Sequence, residues 1–288
     1  MEHFQYLTIS LIGASIGSFL GATVWRIRAR DLKLQKKQNQ KFDKIEYSKL
    51  NFLTKFKIKT DRSHCLNCKH VLSPLDLIPI VSWVYLGGKC RYCKKPIGKF
   101  EIIIEIITAL YFLISLVFWP FDLSSNFEIL RFIGWLFIGS LLIIIAGYDS
   151  KWSEIPTFLM YVTIGLSVFW SLIILAENNF QFDKIISLIL GILILSGFYL
   201  FIYFVSKGKW IGFGDIELGL ALALLLCDWR LSFVTLFMAN FLGTAIVLPG
   251  LLTKKINKSQ SMPFGPLYIA GFFIAFFWGN DLINSFML

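Results

Sequence analysis

Eight apolar stretches, each close to the length of a membrane-spanning helix, recur along this chain of 288 residues. A helix needs about 20 mostly apolar residues to cross the roughly 30 Å of hydrocarbon in a bilayer. The sixth stretch is the weakest, because its unbroken apolar run, Leu218–Cys227, is too short to span alone. We predict an all-α polytopic membrane protein with about eight transmembrane helices, lying at about 6–25, 102–119, 132–148, 157–176, 185–205, 211–229, 231–250 and 264–280.

The basic residues are distributed unevenly around these stretches. Of the 28 Lys and Arg residues, 19 lie between Arg26 and Lys99, and 25 lie on one side of the predicted topology. Lys and Arg accumulate in cytoplasmic loops, so we expect both termini outside and residues 26–100 in the cytoplasm. The net charge of +10 is then a signal of topology, and nucleic acid is not expected as a partner.

We divide the chain accordingly into three parts. Residues 1–26 are the predicted first transmembrane helix, 27–100 a small cytoplasmic basic loop domain with a zinc site, and 101–288 a seven-helix membrane core. Within the loop, residues 28–62 are rich in Lys and Gln. This composition favours a solvated, partly disordered tether, and adsorption to anionic lipid head groups is the alternative.

Four of the five cysteines form two close pairs, Cys65-x2-Cys68 and Cys90-x2-Cys93. Two pairs of thiolates at this spacing can complete a tetrahedral Zn²⁺ site. Two disulfides or a redox motif are the alternative, but structural disulfides are rare in the reducing cytoplasm. Four thiolates leave no open position for water, so the zinc is expected to be structural. The flanking His64 and His70 are expected to be spectators.

Two aspartates lie at the predicted cytoplasmic ends of helices. Asp149 ends the third stretch, and Asp215 lies about one turn inside the sixth, in Gly212-Phe-Gly214-Asp215. Carboxylates in transmembrane helices are costly and are candidates for function. Two neighbouring carboxylates that share a proton can activate water and polarise a carbonyl, as in aspartic proteases. The alternative is structural, with Asp149 a loop residue and Asp215 a helix cap. The glycines would permit positive φ or close approach of a substrate strand.

Short motifs follow one another in a fixed order along nearly the whole chain. They are Gly17-Ser-Phe-Leu20 with Arg26, Cys65-x2-Cys68, Asp76-Leu-Ile-Pro79, Ser82-Trp83, Gly88-Lys-Cys-Arg-Tyr-Cys93, Glu105, Asp149 with Ile155-Pro156, Gly212-Phe-Gly-Asp215 and Pro263-Phe-Gly-Pro266. This ordered series resembles the prepilin leader peptidases, which process type IV prepilins and pseudopilins. The specificity of the resemblance comes from the order of the motifs.

This resemblance implies an aspartic protease of the inner membrane, with Asp149 and Asp215 catalytic. It would cleave a short basic leader from a prepilin at the cytoplasmic face. Many four-cysteine members also methylate the new N-terminus with S-adenosylmethionine, but no residue is assigned to that cofactor. Departures from the family pattern are Gly21 in place of Asn, Glu217 in place of Lys, and a longer 28–62 segment.

Three other classes of protein share part of the pattern. Presenilin-like and signal-peptide-peptidase-like proteases share Tyr148-Asp149 and Gly-x-Gly-Asp, but they lack the four-cysteine loop and end in a Pro-Ala-Leu motif that is absent here. A transporter would use intramembrane acids and glycine-broken helices to move protons or ions. A non-catalytic assembly scaffold is the third class. Replacement of each aspartate would distinguish them.

Overall fold

A computed structural model describes residues 2–55, 62–253 and 263–286. In these ranges the chain forms helices and no β-strand, apart from two isolated β-bridges between single residue pairs. A π-helical segment, Leu193–Gly197, joins α7 to α8. The α-helices are α1 (Glu2–Lys37), α2 (Lys44–Leu50), α3 (Val81–Tyr85), α4 (Phe100–Val117), α5 (Asn126–Trp152), α6 (Thr157–Glu177), α7 (Phe182–Ile192), α8 (Phe198–Ser206), α9 (Phe213–Leu226), α10 (Trp229–Leu252) and α11 (Gly265–Phe286).

Seven helical runs in the described part of the chain are long and apolar enough to cross a membrane. They correspond to seven of the eight predicted stretches, so the prediction of an all-α polytopic membrane protein is confirmed. One run joins α7, the π segment and α8 without a break. The runs are His3–Lys37, Phe100–Val117, Asn126–Trp152, Thr157–Glu177, Phe182–Ser206, Trp229–Pro249 and Gly265–Ser285.

The sixth predicted stretch forms α9, which is shorter than the other candidate spans. Its 14 residues extend over about 21 Å at 1.5 Å per residue. Every residue from Leu218 to Leu226 except Leu220 is buried, and α9 packs against α6, α7, α8, α10 and α11. A helix that is apolar on all sides belongs inside a protein. Helix α9 is therefore the central helix of its half of the chain.

The chain divides into two compact units, one ending at Ile144 and one beginning at Ile145. In the first unit, α1 packs along α4. A Cβ atom on Gly17 would lie 2.7 Å from the Cα atom of Glu105, so the two backbones approach more closely than any larger residue would permit. The second unit is built around α9.

Part of the segment predicted to be a solvated tether is helical and packed. Helix α1 continues to Lys37, and its 36 residues extend over about 54 Å, well beyond the thickness of the hydrocarbon. Ala29 and Leu32 pack against Leu50 and Leu53, and Arg28 pairs with Glu46 at 2.9 Å. The tether interpretation is wrong for these residues, because the basic stretch also contains apolar residues at helical spacing, and these pack together. Residues 56–61 lie outside the described residues.

Candidate active site and candidate metal centre

Asp149 lies one turn before the end of α5 and is only 5% exposed. Its Oδ2 atom accepts a hydrogen bond of 2.9 Å from the backbone N–H of Gly265, the first residue of α11. Free N–H groups at a helix N-terminus favour negative charge. The fold therefore brings a helix from 116 positions further along the chain to orient this carboxylate.

Asp215 is the third residue of α9, and the Gly-x-Gly segment before it consists of the N-cap Gly212 and the first two residues of the helix. The backbone of Gly212 is extended, with φ −76° and ψ 150°, so this glycine is not needed for positive φ. A Cβ on Gly214 would lie 3.2 Å from the Cδ1 atom of Ile155. Gly214 therefore permits close packing of the turn on the segment that follows α5, in the same unit.

The fold brings the two predicted aspartates together within the second unit. The charge of Asp149 acts on Asp215, so the two carboxylates lie within electrostatic reach of each other although they come from different helices. Like charges that are close favour a single shared proton. An ionised carboxylate beside a protonated one can take a proton from water and donate a proton to a carbonyl.

Two buried tyrosines on α8 and α11 form a network within electrostatic reach of Asp215, and the sequence did not indicate it. The charge of Asp215 acts on both Tyr199 and Tyr268, and their ring centroids are 5.4 Å apart. The Asn240 side-chain amide donates to the Tyr199 hydroxyl at 3.0 Å. The Tyr268 hydroxyl donates to the Leu195 carbonyl at 2.9 Å, within the π segment. The only sequence signal near this network is the motif Pro263-Phe-Gly-Pro266, which precedes Tyr268.

The four predicted metal ligands converge in the first unit. The Sγ atoms of Cys65, Cys68, Cys90 and Cys93 lie within 4.8 Å of one another, and those of Cys65 and Cys93 are 3.9 Å apart. Tetrahedral Zn²⁺ with Zn–S bonds of about 2.3 Å places sulfur atoms about 3.8 Å apart. The cluster therefore has the size and donor set to hold a metal ion of this kind.

Each cysteine pair lies in a turn of the same design. The first Cys of each pair accepts a backbone hydrogen bond from the residue four positions later, Lys69 at 2.8 Å and Lys94 at 3.0 Å. Both of these lysines have positive φ, 60° and 58°. Burial raises the pKa of the Cys65 thiol to about 12, so a bound cation is needed to hold it as thiolate at neutral pH.

An ion pair ties the second cysteine turn to the segment between the pairs. Arg91 donates from Nε to Asp76 Oδ1 at 2.6 Å, and the Ser73 hydroxyl donates to Asp76 Oδ2 at 2.8 Å. Burial alone would raise the pKa of the Asp76 carboxyl, but the hydrogen bonds from Arg91 and Ser73 outweigh it and hold that pKa below its usual range. Asp76 therefore stays ionised and braces the loop.

His64 and His70 do not belong to the cysteine cluster. His64 contacts the Arg62 carbonyl through Nδ1 at 2.6 Å, and the His70 ring lies against Tyr92 with centroids 3.7 Å apart. Both histidines thus contact the surrounding loop, as expected for residues that do not ligate the metal.

Two models of known protein families match the chain. A model of the bacterial peptidase A24 N-terminal domain matches residues 11–120, and a model of the type IV leader peptidase family matches residues 136–248. No solved structure matches the chain.

Several curated proteins are similar over most of their length. A prepilin leader peptidase/N-methyltransferase of Pseudomonas aeruginosa is 27% identical over 96% of this chain and 91% of its own. One of Aeromonas hydrophila is 26% identical over 81% and 77%. A type 4 prepilin-like proteins leader peptide-processing enzyme of Escherichia coli is 26% identical over 90% and 88%. Both family models and the end-to-end similarity agree with the membrane fold: the chain is a multi-pass membrane protease that belongs to the type IV leader peptidase family.

Proposed function

We propose that Asp149 and Asp215 are the catalytic pair of an aspartic endopeptidase that cleaves the leader from type IV prepilins or pseudopilins. The observation that supports this most directly is the proximity of two carboxylates from separate helices, one of them oriented by the Gly265 N–H. A loop residue and a helix cap with purely structural roles have no reason to lie within electrostatic reach of each other, since their mutual repulsion is unfavourable.

In this proposal the pair carries one proton between its two carboxyl groups. The ionised carboxylate takes a proton from a water molecule, whose oxygen attacks the carbonyl carbon of the scissile peptide bond. The protonated carboxyl group donates a hydrogen bond and then its proton to the carbonyl oxygen. Collapse of the tetrahedral intermediate transfers a proton to the leaving nitrogen and breaks the C–N bond.

The proposed substrate is a prepilin with a short basic leader, cut at the cytoplasmic face of the inner membrane just before its hydrophobic helix. Support for this sidedness comes from the 19 of 28 Lys and Arg residues that lie between Arg26 and Lys99, on the same predicted side as Lys151, Lys207 and Lys209. Asp149 and Asp215 fall on that same side. The lipid bilayer is the second partner, since it holds both enzyme and substrate helix.

Cleavage of a prepilin-like peptide by purified variants tests the catalytic pair. Asp149→Asn and Asp215→Asn keep the size of the side chain but remove the titrating group, so each is expected to lower the rate by several orders of magnitude. Asp281→Asn, at an exposed position of α11, is the matched control and should cleave normally. Near wild-type cleavage by both catalytic-site variants would show that the mechanism is wrong.

We propose as a second activity that the chain N-methylates the new N-terminus. The curated relatives with N-methyltransferase in their names support this, as does the four-cysteine cluster, which we propose holds one structural Zn²⁺. S-adenosylmethionine would supply the methyl group when bound. Mass spectrometry of a correctly processed pilin decides the matter, since an unmodified N-terminus would mean that the chain is a protease only.

The proposed zinc is tested by metal analysis of purified protein. We expect about one zinc per chain, as for a single four-thiolate site. Cys68→Ser should lose the metal and destabilise the loop, because metal binding energy contributes to folding. Cys227→Ser, outside the cluster, should keep it. Free thiols without metal in the wild-type protein would contradict this assignment.

A further inference from the structure

A cavity of about 160 Å³ lies in the first unit, between α1, α4 and the cysteine loop, defined here as residues 62–99. Its wall includes the ion pair of Asp76 and Arg91. It also combines two further carboxylates, Glu101 and Glu105, with the indole rings of Trp25 and Trp83. None of these four side chains takes part in the proposed proteolysis. The volume of this cavity is well below the roughly 300–1,000 Å³ of sites that enclose a drug-sized molecule. It therefore suits one functional group of a ligand and not a whole cofactor.

Glu101 carries an acceptor atom that no described residue satisfies. The Trp25 indole N–H donates to its Oε1 atom at 3.0 Å. Its Oε2 atom is buried and has no hydrogen-bond partner among the residues that the structure describes. A buried carboxylate oxygen without a donor is costly. A ligand that supplies positive charge at this position would remove that cost.

Glu105 is one helical turn further along the same face of α4 and is only 7% exposed. It accepts a hydrogen bond of 2.7 Å from the backbone N–H of Ile80. Ile80 has φ 62° and ψ −52° and is the centre of a tight turn in which the Val81 N–H donates to the Pro79 carbonyl at 2.5 Å. Positive φ is strained for a β-branched residue. Strain of this kind is typical of functional sites, and here a cavity-lining carboxylate holds it.

The aromatic wall is fixed in place by the loop. The Trp83 indole N–H donates to the Gly98 carbonyl at 2.8 Å. A Cβ on Gly88, where φ is +68°, would lie 2.8 Å from the Trp83 ring, so glycine is required there both by conformation and by space. Faces of indole rings attract cations, including quaternary ammonium groups. A rigid indole next to carboxylates is therefore a suitable environment for an organic cation.

We propose that this cavity binds an organic cation, a sulfonium or ammonium group, between the Glu101 carboxylate and the indoles of Trp25 and Trp83. The proposed methyl transfer supplies two candidate sources of that cation, so the inference rests on that activity. One is the sulfonium of S-adenosylmethionine and the other is the free amine of the processed N-terminus. Arg26 and Arg62 also line the cavity, so a carboxylate on the same ligand would find positive charge nearby.

Equilibrium dialysis with the purified full-length protein tests the proposal with two pairs of probes. S-adenosylmethionine is compared with S-adenosylhomocysteine, which lacks the methyl group and the positive charge of the sulfonium. A short apolar peptide with a free N-terminal amine is compared with its N-acetylated form. We expect the charged member of at least one pair to bind more tightly, and the pair that discriminates identifies the source of the cation.

Glu101→Gln is the central variant, because it removes the charge while its amide oxygen can still accept from the Trp25 indole. It should weaken binding of the charged probe by about 10-fold to 100-fold, because the cation loses a close contact with an opposite charge at a partly buried site. Binding of the uncharged probe should hardly change. Glu177→Gln, at an exposed position near the end of α6, is the matched control. Thermal melting checks folding, and Trp25→Phe provides a second variant that tests the same wall.

Each outcome of these measurements either supports the proposed cation site or overturns it. Equal binding of charged and uncharged probes, or unchanged binding of the charged probe in both Glu101→Gln and Trp25→Phe, would overturn the proposal. Prepilin cleavage measured on the same preparations separates this inference from the proposed protease function. If the protein cleaves prepilin normally but does not bind the cation, only the proposal for this cavity fails. If it binds the cation but does not cleave, only the proposal for the aspartate pair fails.

Discussion

At the scale of single residues, the contact between Asp149 and Gly265 determines how the first aspartate of the pair is presented. The Gly265 N–H donates to Asp149 Oδ2 at 2.9 Å, and a Cβ atom added to this glycine would lie 2.8 Å from the same oxygen. Glycine is needed here for space, since any side chain would push the carboxylate away from the N-terminus of α11. The proposed catalysis by a shared proton would depend on that position to within a fraction of an ångström.

Gly265→Ala is therefore expected to lower prepilin cleavage by about 100-fold, the loss typical of a displacement of about 1 Å at a reacting group. Gly165→Ala is a matched control, because a Cβ there meets nothing within 4 Å and alanine favours the helix. Cleavage rates of both variants at matched folding provide the measurement. A Gly265→Ala enzyme as fast as the Gly165→Ala enzyme would contradict the orienting role.

Asp76 gives a prediction about pH. Its pKa in the folded protein is lowered by Arg91 and Ser73, so its contribution to stability is present above the unfolded-state pKa and is lost as the pH falls through the folded-state pKa. Asp76→Asn should be less stable than wild type at neutral pH, and the difference should shrink in acid as the wild-type carboxyl group is protonated. Thermal unfolding of both proteins across a pH series measures this. A difference that persists unchanged in acid would contradict it.

At the scale of secondary-structure elements, the π segment between α7 and α8 positions the central helix α9. The Ser196 hydroxyl donates to the Ile216 carbonyl at 3.0 Å, one residue after Asp215, and the Tyr268 hydroxyl donates to Leu195. A Cβ on Gly219 would lie 2.7 Å from the Leu195 carbonyl oxygen and from the Tyr268 hydroxyl. Helix α9, the π segment and α11 therefore meet at one tightly packed point, about one helical turn after Asp215 along α9.

Tyr268→Phe should destabilise the protein by about 1–3 kcal/mol, because a buried carbonyl loses its side-chain donor. Tyr161→Phe, on α6 with 60% of its surface exposed, should change stability very little. Thermal or denaturant unfolding of the two variants in the same detergent gives the comparison. If the two variants are equally stable, the hydroxyl bridge to the π segment contributes nothing.

At the scale of the whole molecule, the proposed sidedness connects substrate, metal and catalytic pair. A cytoplasmic cysteine loop would face the reducing compartment in which free thiolates and zinc persist. The same sidedness places Asp149 and Asp215 where a basic leader is accessible before export. Charge distribution supports this arrangement, and it can be tested without any assay of activity.

Single cysteines introduced as Asn39→Cys and Asn178→Cys report the two sides of the membrane. Position 39 follows α1 and position 178 follows α6. A membrane-impermeant thiol reagent added to intact cells should label position 178 and not position 39, and disruption of the cells should expose position 39. The unmodified chain serves as the control for its own cysteines. Labelling of position 39 in intact cells would reverse the proposed topology.

Much of the architecture could be predicted because its signals are local. Apolar runs of membrane-spanning length, the spacing within each cysteine pair and the two aspartates at helix ends depend only on neighbouring residues. The order of short motifs along the chain was sufficient to indicate the family. The bilayer strengthens such signals, since a buried backbone without water must satisfy its own hydrogen bonds and so becomes helical.

Other features were decided only by tertiary structure, because they depend on contacts between distant parts of the chain. The buried position of α9 comes from the helices that surround it, and the extension of α1 to Lys37 comes from packing of Ala29 and Leu32 against Leu50 and Leu53. No local pattern marks Gly265 as the partner of Asp149, or Ile80 as the partner of Glu105. Sequence alone determined the apolar helices and the chemical groups of this protein, whereas long-range packing determined which of those groups face one another.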